Sequence, residues 1–289
     1  SAVIFPFLGL FAMMLYAGNI HQFLSRMGKW TAPVLLFILQ MSQGPAGSIP
    51  RLVTLMHATV KTYFPGLSLF GFSIAISLFV FYLSRRPNKL IGLLGLWLTP
   101  ILLIALSSLV VSGISGAPVA PIAAQTGAFY FGQGLKLGYQ TTDLIAALLF
   151  ATIVLPHLSQ GGVSPGVVRR RMTYASLIAS LLLMVVYVGL CWISARYSAQ
   201  FAALAPEELL QNIAVLLLGS VGTFLASIAV FLACLTTAIS LSVVFSQYIQ
   251  TDLLKNKFSS ESVLGFTLGF AAALANLGFS GIVKLWGPI

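Results

Sequence analysis

Acidic residues are scarce in this sequence. Only five Asp and Glu occur among 289 residues, and charged residues of both signs make up 7% of the chain. Water-soluble domains carry about 25% charged residues, so a soluble globular protein is excluded. With 58% hydrophobic residues and a mean hydropathy of +1.00, the sequence instead indicates a membrane protein that crosses the bilayer several times.

Cysteine and histidine are also scarce, which argues against metal and redox chemistry. Cys191 and Cys234 both lie inside apolar runs, where a small buried hydrophobe is favoured over a disulfide or a metal ligand. The three histidines, His21, His57 and His157, have no metal-binding spacing. We therefore predict no bound cofactor.

Basic residues outnumber acidic ones and give a net charge of +10. They occur in short clusters between apolar runs and do not follow one face of a predicted helix. This distribution is typical of topology signals in a protein embedded in a lipid bilayer, and no nucleic-acid partner is predicted.

Eight apolar runs are candidates for membrane crossings, since a spanning helix needs roughly 20 mostly apolar residues. Because lipid cannot satisfy an open backbone, we expect an all-α bundle. The runs are 2–20, 31–50, 64–84, 90–112, 122–156, 172–194, 212–250 and 262–279.

Ten of the 15 Lys and Arg fall in four clusters, and each successive pair of clusters encloses two runs. All four clusters can therefore face one side, which the positive-inside rule assigns to the cytoplasm. The first run then passes from outside to inside, so we expect an odd number of helices, most simply one, before Ser1. Both ends are expected to be cut, and such a chain would not transport by itself. The clusters are Arg26 with Lys29; Arg85 and Arg86 with Lys89; Arg169 to Arg171; and Lys255 with Lys257.

Two runs are too long for one simple helix. In 122–156, three glycines precede the polar string Gln140 to Asp143, which predicts an interruption there. The stretch 207–250 opens with "PEELLQ", a helix start with Pro206 at its first position, and we expect it to break at "GSVG", residues 219–222. The first half is predicted to be a short external helix and the second half the span. "GFTLG", residues 265–269, predicts close helix packing.

Asp143 is the only acid deep in an apolar run, and a charge near the bilayer centre costs about 2.5–3.5 kcal/mol on insertion scales. It has two interpretations. The carboxylate caps the second half of a broken helix or forms a structural ion pair, or it takes part directly in binding an ion, a proton or a substrate. The two are compatible. A broken helix also frees N–H groups for an anion and carbonyls for a cation.

Two further polar groups interrupt apolar runs. Thr236, Thr237 and Ser240 place three hydroxyls within about one helical turn, either as oxygen ligands for a small cation or as hydroxyls bonded to their own helix or to a neighbouring one. "QMSQGPAGSIPR", residues 40–51, has a loosened helix at Gly44 and Pro45, followed by Arg51, which is most simply an interfacial arginine that ends the helix.

Taken together, "GPAGSIPR" at 44–51, "GYQTTDLIAALLF" at 138–150, "ACLTTAISL" at 233–241 and "ANLGF" at 275–279 resemble the branched-chain amino acid:cation symporter (LIVCS) family. The resemblance covers essentially the whole chain. It implies a LeuT-type inverted-repeat helical bundle of the amino acid-polyamine-organocation superfamily, here incomplete. Residues 1–289 would form one transporter domain with about eight spans, helices 2 to 9 of twelve.

The resemblance also implies functional residues. The segment Gly138, Tyr139, Gln140, Thr141, Thr142 and Asp143 would be unwound and, with Gly44 and Pro45, would hold the substrate. Ala233, Thr236 and Thr237, joined by Ser240, would hold Na+. The implied activity is import of Leu, Ile or Val by Na+ or H+ symport across a bacterial plasma or inner membrane, with no enzymatic step. The alternatives are a transporter of this fold for another small solute, a non-transporting sensor and a membrane-embedded enzyme.

Overall fold

The computed structural model describes residues 2–85, 99–115, 126–159, 164–201 and 204–286, and all regular secondary structure in these ranges is helical. A π-helical turn, Ile249–Leu253, directly follows the helix that ends at Tyr248. The helices are α1 Ile4–Leu15, α2 Ile20–Ser25, α3 Thr31–Gln43, α4 Ser48–Lys61, α5 Leu69–Ser84, α6 Thr99–Ser115, α7 Gly127–Gln140, α8 Asp143–Leu158, α9 Pro165–Arg196, α10 Ser198–Phe201, α11 Pro206–Tyr248, α12 Ser260–Ala275 and α13 Gly278–Trp286.

By length and composition, three helices of the described ranges can cross a membrane: Gly127–Pro156, Gly166–Arg196 and Gly222–Leu253. A fourth is added if α12 and α13, bent by 105°, form one broken span. Helices α1, α5 and α6 are apolar but shorter. The all-α, multi-pass prediction is therefore confirmed, although fewer helices reach spanning length than the eight runs suggested. Residues 90–98 and 122–125 of those runs, with Arg86 and Lys89, lie outside the described residues.

The chain forms two compact units, of which the first comprises Ser1–Gln40 and Ile122–Gly189. Within it, α1 packs against α8. Gly9 makes this approach possible, because a Cβ there would lie 2.7 Å from Leu144 Cδ1. Gly18, in the turn after α1, has a φ of +82°, and a Cβ there would lie 3.1 Å from the Ala151 carbonyl oxygen.

The second unit comprises Met41–Pro121 and Leu190–Ile289. Its core forms where α4 and α12 pack against α11, with Met56, Ala238 and Leu268 buried. A second cluster joins α6 to the end of α9 and the start of α11. Cys234 is buried as predicted, whereas Cys191 is exposed, and both are free thiols.

Helix α11 bends at Gly219, which has φ +64° and ψ −166°. Glycine alone adopts this conformation readily, so the predicted break at 219–222 is confirmed. Helix α11 also begins at Pro206, as expected.

Two local predictions were wrong. Arg51 does not end a helix, because α4 begins at Ser48 and continues to Lys61. The loosening predicted at Gly44 and Pro45 is confirmed as a turn between α3 and α4, so the run 31–50 is not one helix. This turn requires glycine at position 47, since a Cβ there would lie 1.9 Å from the Ser42 carbonyl oxygen. "GFTLG" does not close a helix contact at Gly269, where a Cβ would meet no atom within 4 Å. Gly265 and Gly269 instead line an open groove of about 340 Å³ between α5 and α12.

Candidate functional site

The junction of α7 and α8 is a break inside an apolar segment of spanning length. Thr142 has a φ of +59°, which is rare for a β-branched residue and costs of order 1–2 kcal/mol. Its carbonyl accepts the Ala146 N–H at 3.1 Å and so begins α8, while its own N–H donates to the Tyr139 carbonyl at 3.1 Å. The backbone hydrogen-bond pattern of α7 therefore ends at this residue, and that of α8 begins there.

The break is shorter than the sequence suggested. Gly138, Tyr139 and Gln140 remain helical, Thr141 caps α7 with helical backbone angles (φ −65°, ψ −18°), and the left-handed backbone of Thr142 interrupts the helix. The expectation that residues 138–143 are unwound is therefore wrong for Gly138 to Gln140 and for Asp143, which begins α8. Glycine permits a helix to unwind but does not force it to unwind. A glycine inside a helix lowers the stability of that helix by roughly 0.5–1 kcal/mol relative to alanine, which is less than the cost of breaking a turn.

Asp143 is the first residue of α8 and its side chain is half-buried. Oδ2 of its carboxyl group accepts hydrogen bonds from Thr141 Oγ1 at 2.8 Å and from the Tyr187 hydroxyl at 2.8 Å. Asp143 therefore does not act as a simple N-cap. Two hydroxyl groups donate to its carboxyl group, and its position at the N-terminus of α8 favours its negative charge.

Tyr187 is the residue of this cluster that sequence analysis missed. It belongs to α9, within the apolar run 172–194, and lies 44 residues from Asp143. The available signal was weak: a tyrosine in an apolar helix needs a partner for its hydroxyl, but the sequence does not name that partner.

The hydroxyls predicted to bind Na+ lie together on α11. Thr236 Oγ1 and Thr237 Oγ1 donate to the same acceptor, the Ala233 carbonyl, at 2.9 and 2.8 Å, and Ser240 Oγ donates to the Thr236 carbonyl at 3.0 Å. These bonds match the alternative in which the hydroxyls bond to their own helix. They direct each proton toward the helix and leave oxygen lone pairs, so the arrangement still offers ligands to a hard cation.

Gly44 and Pro45 are buried in the turn between α3 and α4. Across this turn, Ser48 Oγ donates to Gln43 Oε1 at 2.9 Å. Arg51, one turn into α4, is half-buried, and its Nε has no hydrogen-bond partner among the described residues. The turn therefore combines buried backbone with a cationic side chain.

The predicted site residues fall into both compact units. Residues 138–143 belong to the first, together with Tyr187, whereas Gly44, Pro45 and the hydroxyls at 236–240 belong to the second. Within the second unit, α4 packs against α11.

Comparison with known proteins agrees with a transport role. A model of the family "branched-chain amino acid transport protein" matches residues 1–289. The chain is 27% identical to the branched-chain amino acid transport system 3 carrier protein of Pseudomonas aeruginosa and 29% identical to the branched-chain amino acid permease BrnQ of Corynebacterium glutamicum. Both alignments cover 100% of this chain and 67% of the relative.

The chain spans 61% to 68% of the length of curated relatives such as those of Staphylococcus epidermidis and Staphylococcus haemolyticus. No solved structure matches it. The family and these relatives are transport proteins and not enzymes.

Proposed function

Because the chain belongs to the family of branched-chain amino acid transport proteins, we propose that the protein imports leucine, isoleucine or valine, coupled to the inward flow of Na+ or H+. It is a multi-pass protein of the bacterial cell membrane. The LeuT-type inverted repeat is part of the same proposal, with alternating access produced by rocking of one helix bundle against another.

The observation that carries the proposal is the break at Thr141 and Thr142 within a segment of spanning length. At such a break, carbonyls at the end of α7 and N–H groups at the start of α8 leave the continuous helical hydrogen-bond pattern. The Gly138 and Tyr139 carbonyls accept local bonds there, from Thr141 Oγ1 and the Thr142 N–H, and each keeps a second lone pair. These carbonyls and N–H groups can then bind the ammonium and carboxylate groups that every free amino acid carries. Gly44 and Pro45 are also proposed to bind substrate.

The cation is proposed to bind on α11. The Ala233 carbonyl and the hydroxyls of Thr236, Thr237 and Ser240 are hard oxygen ligands, which Na+ prefers to softer groups. Thr237 is exposed and Thr236 is half-buried, so a cation can reach them from outside the helix. Coupling then requires that cation and substrate each raise the affinity for the other.

The test is uptake of radiolabelled leucine, isoleucine and valine into proteoliposomes that hold the full-length protein. Na+ and pH gradients are imposed separately, and lysine and glutamate serve as unrelated amino acids. We expect branched-chain uptake under one of the two gradients and little uptake of the charged amino acids.

Each rival function predicts a different result. A sensor binds branched-chain amino acids without flux, and a transporter of this fold for another solute shows flux only for that solute. No branched-chain uptake under either gradient would reject the proposal.

A further inference from the structure

Tyr187 connects α9 to the break between α7 and α8. It lies in the apolar stretch "LLLMVVYVGL", residues 181–190, and its hydroxyl donates to Asp143 Oδ2 at 2.8 Å. Both residues belong to the first compact unit. A half-buried tyrosine places its ring among apolar groups and its hydroxyl on a polar partner, and here the partner is the first residue of α8.

Thr141, at the break, is a second hydrogen-bond donor for the Asp143 carboxyl group, but its hydroxyl also donates to a backbone carbonyl. Thr141 Oγ1 has one proton and two acceptors within reach: the Gly138 carbonyl at 2.9 Å and Asp143 Oδ2 at 2.8 Å. The Gly138 carbonyl needs this proton, because the Thr142 N–H, its partner in a continuous helix, donates to the carbonyl of the next residue. When Thr141 donates to Gly138, Tyr187 is the donor that remains for the carboxylate.

We propose that Tyr187 is a positioning residue of the transport site, which holds the Asp143 carboxylate and, through it, the turn at Thr141 and Thr142. Without the tyrosine hydroxyl, the carboxylate competes with the Gly138 carbonyl for the single proton of Thr141. The last turn of α7 then loses a hydrogen bond and opens. The consequence for transport rests on the proposed function, whereas the effect on the break does not.

The proposal is tested by a double-mutant cycle of Tyr187→Phe and Asp143→Ala in the full-length protein. Hydrogen–deuterium exchange of residues 139–146 in detergent micelles reports the break, and leucine uptake in proteoliposomes gives Vmax and KM. Loss of a hydrogen bond to a charged group predicts about tenfold faster exchange and about tenfold lower Vmax/KM for Tyr187→Phe. In the Asp143→Ala background, the same substitution should change neither quantity by more than about twofold, because its target is gone.

Tyr174→Phe is the matched control on the same helix. Tyr174 is 55% exposed, and the contact of its ring with the Arg170 guanidinium, at 5.7 Å, survives the substitution, so exchange and uptake should stay at wild-type values. If Asp143→Ala does not fold, Asp143→Leu takes its place, since it also removes the acceptor while preserving most of the volume.

The outcomes separate the two proposals. Equal effects of Tyr187→Phe in both backgrounds would indicate a packing role and overturn the inference, as would unchanged exchange in the single variant. If the wild-type protein takes up no branched-chain amino acid, the proposed function fails, and the exchange measurements alone decide whether Tyr187 positions the break.

Discussion

Gly219 is the residue at which α11 bends, and its backbone conformation excludes other residues. A Cβ at this position would meet no atom within 4 Å, so the constraint is the positive φ and not the available space. Gly219→Ala should lower the free energy of unfolding by about 1–3 kcal/mol.

Gly269→Ala is the matched control, because that glycine also faces open space but lies inside α12 with an ordinary helical φ. It should be neutral or stabilising by up to about 1 kcal/mol. Thermal unfolding in detergent gives the comparison, and equal melting temperatures for the two variants would show that the bend does not depend on glycine.

The threonine pair on α11 makes a separate prediction about the cation. Thr236→Ala combined with Thr237→Ala removes two proposed ligands, so the Na+ concentration for half-maximal uptake should rise about tenfold, the equivalent of about 1.4 kcal/mol. Uptake as a function of Na+ concentration measures this value.

Ser242→Ala controls for the loss of a hydroxyl from the same helix. Ser242 is fully buried and donates to the Ala238 carbonyl at 2.6 Å, outside the proposed site, so its replacement should leave the Na+ dependence unchanged. Unchanged Na+ dependence in the double threonine variant would mean that these hydroxyls serve only their own helix.

At the residue scale, the sequence reveals which polar groups are costly to bury, but it does not reveal their hydrogen-bond partners. Asp143 stands out because few acids occur in apolar runs, and the structure places it at the predicted break. Tyr187 is equally part of the cluster, yet it is one of nine tyrosines and distant in sequence. Its role depends on how α9 approaches α8, which local patterns do not encode.

At the scale of elements, Ser227 links the two halves of α11 across the bend. Its Oγ accepts a hydrogen bond from Gln211 Nε2 at 2.7 Å, donates to the Thr223 carbonyl at 2.7 Å, and lies 3.0 Å from the Tyr63 hydroxyl. Gln211 precedes Gly219 and Tyr63 follows α4, so three segments meet at one hydroxyl group.

Ser227→Ala should therefore destabilise the protein by about 1–3 kcal/mol, because it leaves the buried Gln211 amide without an acceptor. Chemical denaturation in detergent measures the change. Ser242→Ala, which removes a buried hydroxyl that donates to a carbonyl of its own helix, should cost less. If both serine variants lose the same stability, the connection across the bend contributes nothing beyond helix packing.

Helix breaks were predictable where backbone geometry demands glycine, as at Gly219. The break after α7 was located correctly but drawn too long, since Gly132, Gly134 and Gly138 stay in the helix. The turn between α3 and α4 was underestimated, because the apolar composition of run 31–50 hides a contact that only Gly47 permits. Hydropathy identifies apolar segments, whereas close backbone contacts decide where a helix stops.

At the scale of the whole molecule, charge distribution predicts how the chain crosses the membrane. Ten of 15 basic residues lie in clusters assigned to the cytoplasm. Lys29 follows α2, Lys257 precedes α12, and both are exposed, as is Gly66 between α4 and α5. The predicted topology places the two lysines inside and Gly66 outside.

Cysteine labelling tests this topology in a variant whose Cys191 and Cys234 are replaced by alanine. A membrane-impermeant maleimide added to intact cells should label Gly66→Cys, because position 66 is exposed and a Cβ there meets no atom within 4 Å. Lys29→Cys and Lys257→Cys should react only after the membrane is permeabilised, because the basic clusters stay on the cytoplasmic side. The reverse pattern would invert the topology, and labelling of Gly66→Cys and Lys29→Cys from the same side would mean that α3 and α4 together do not cross the bilayer.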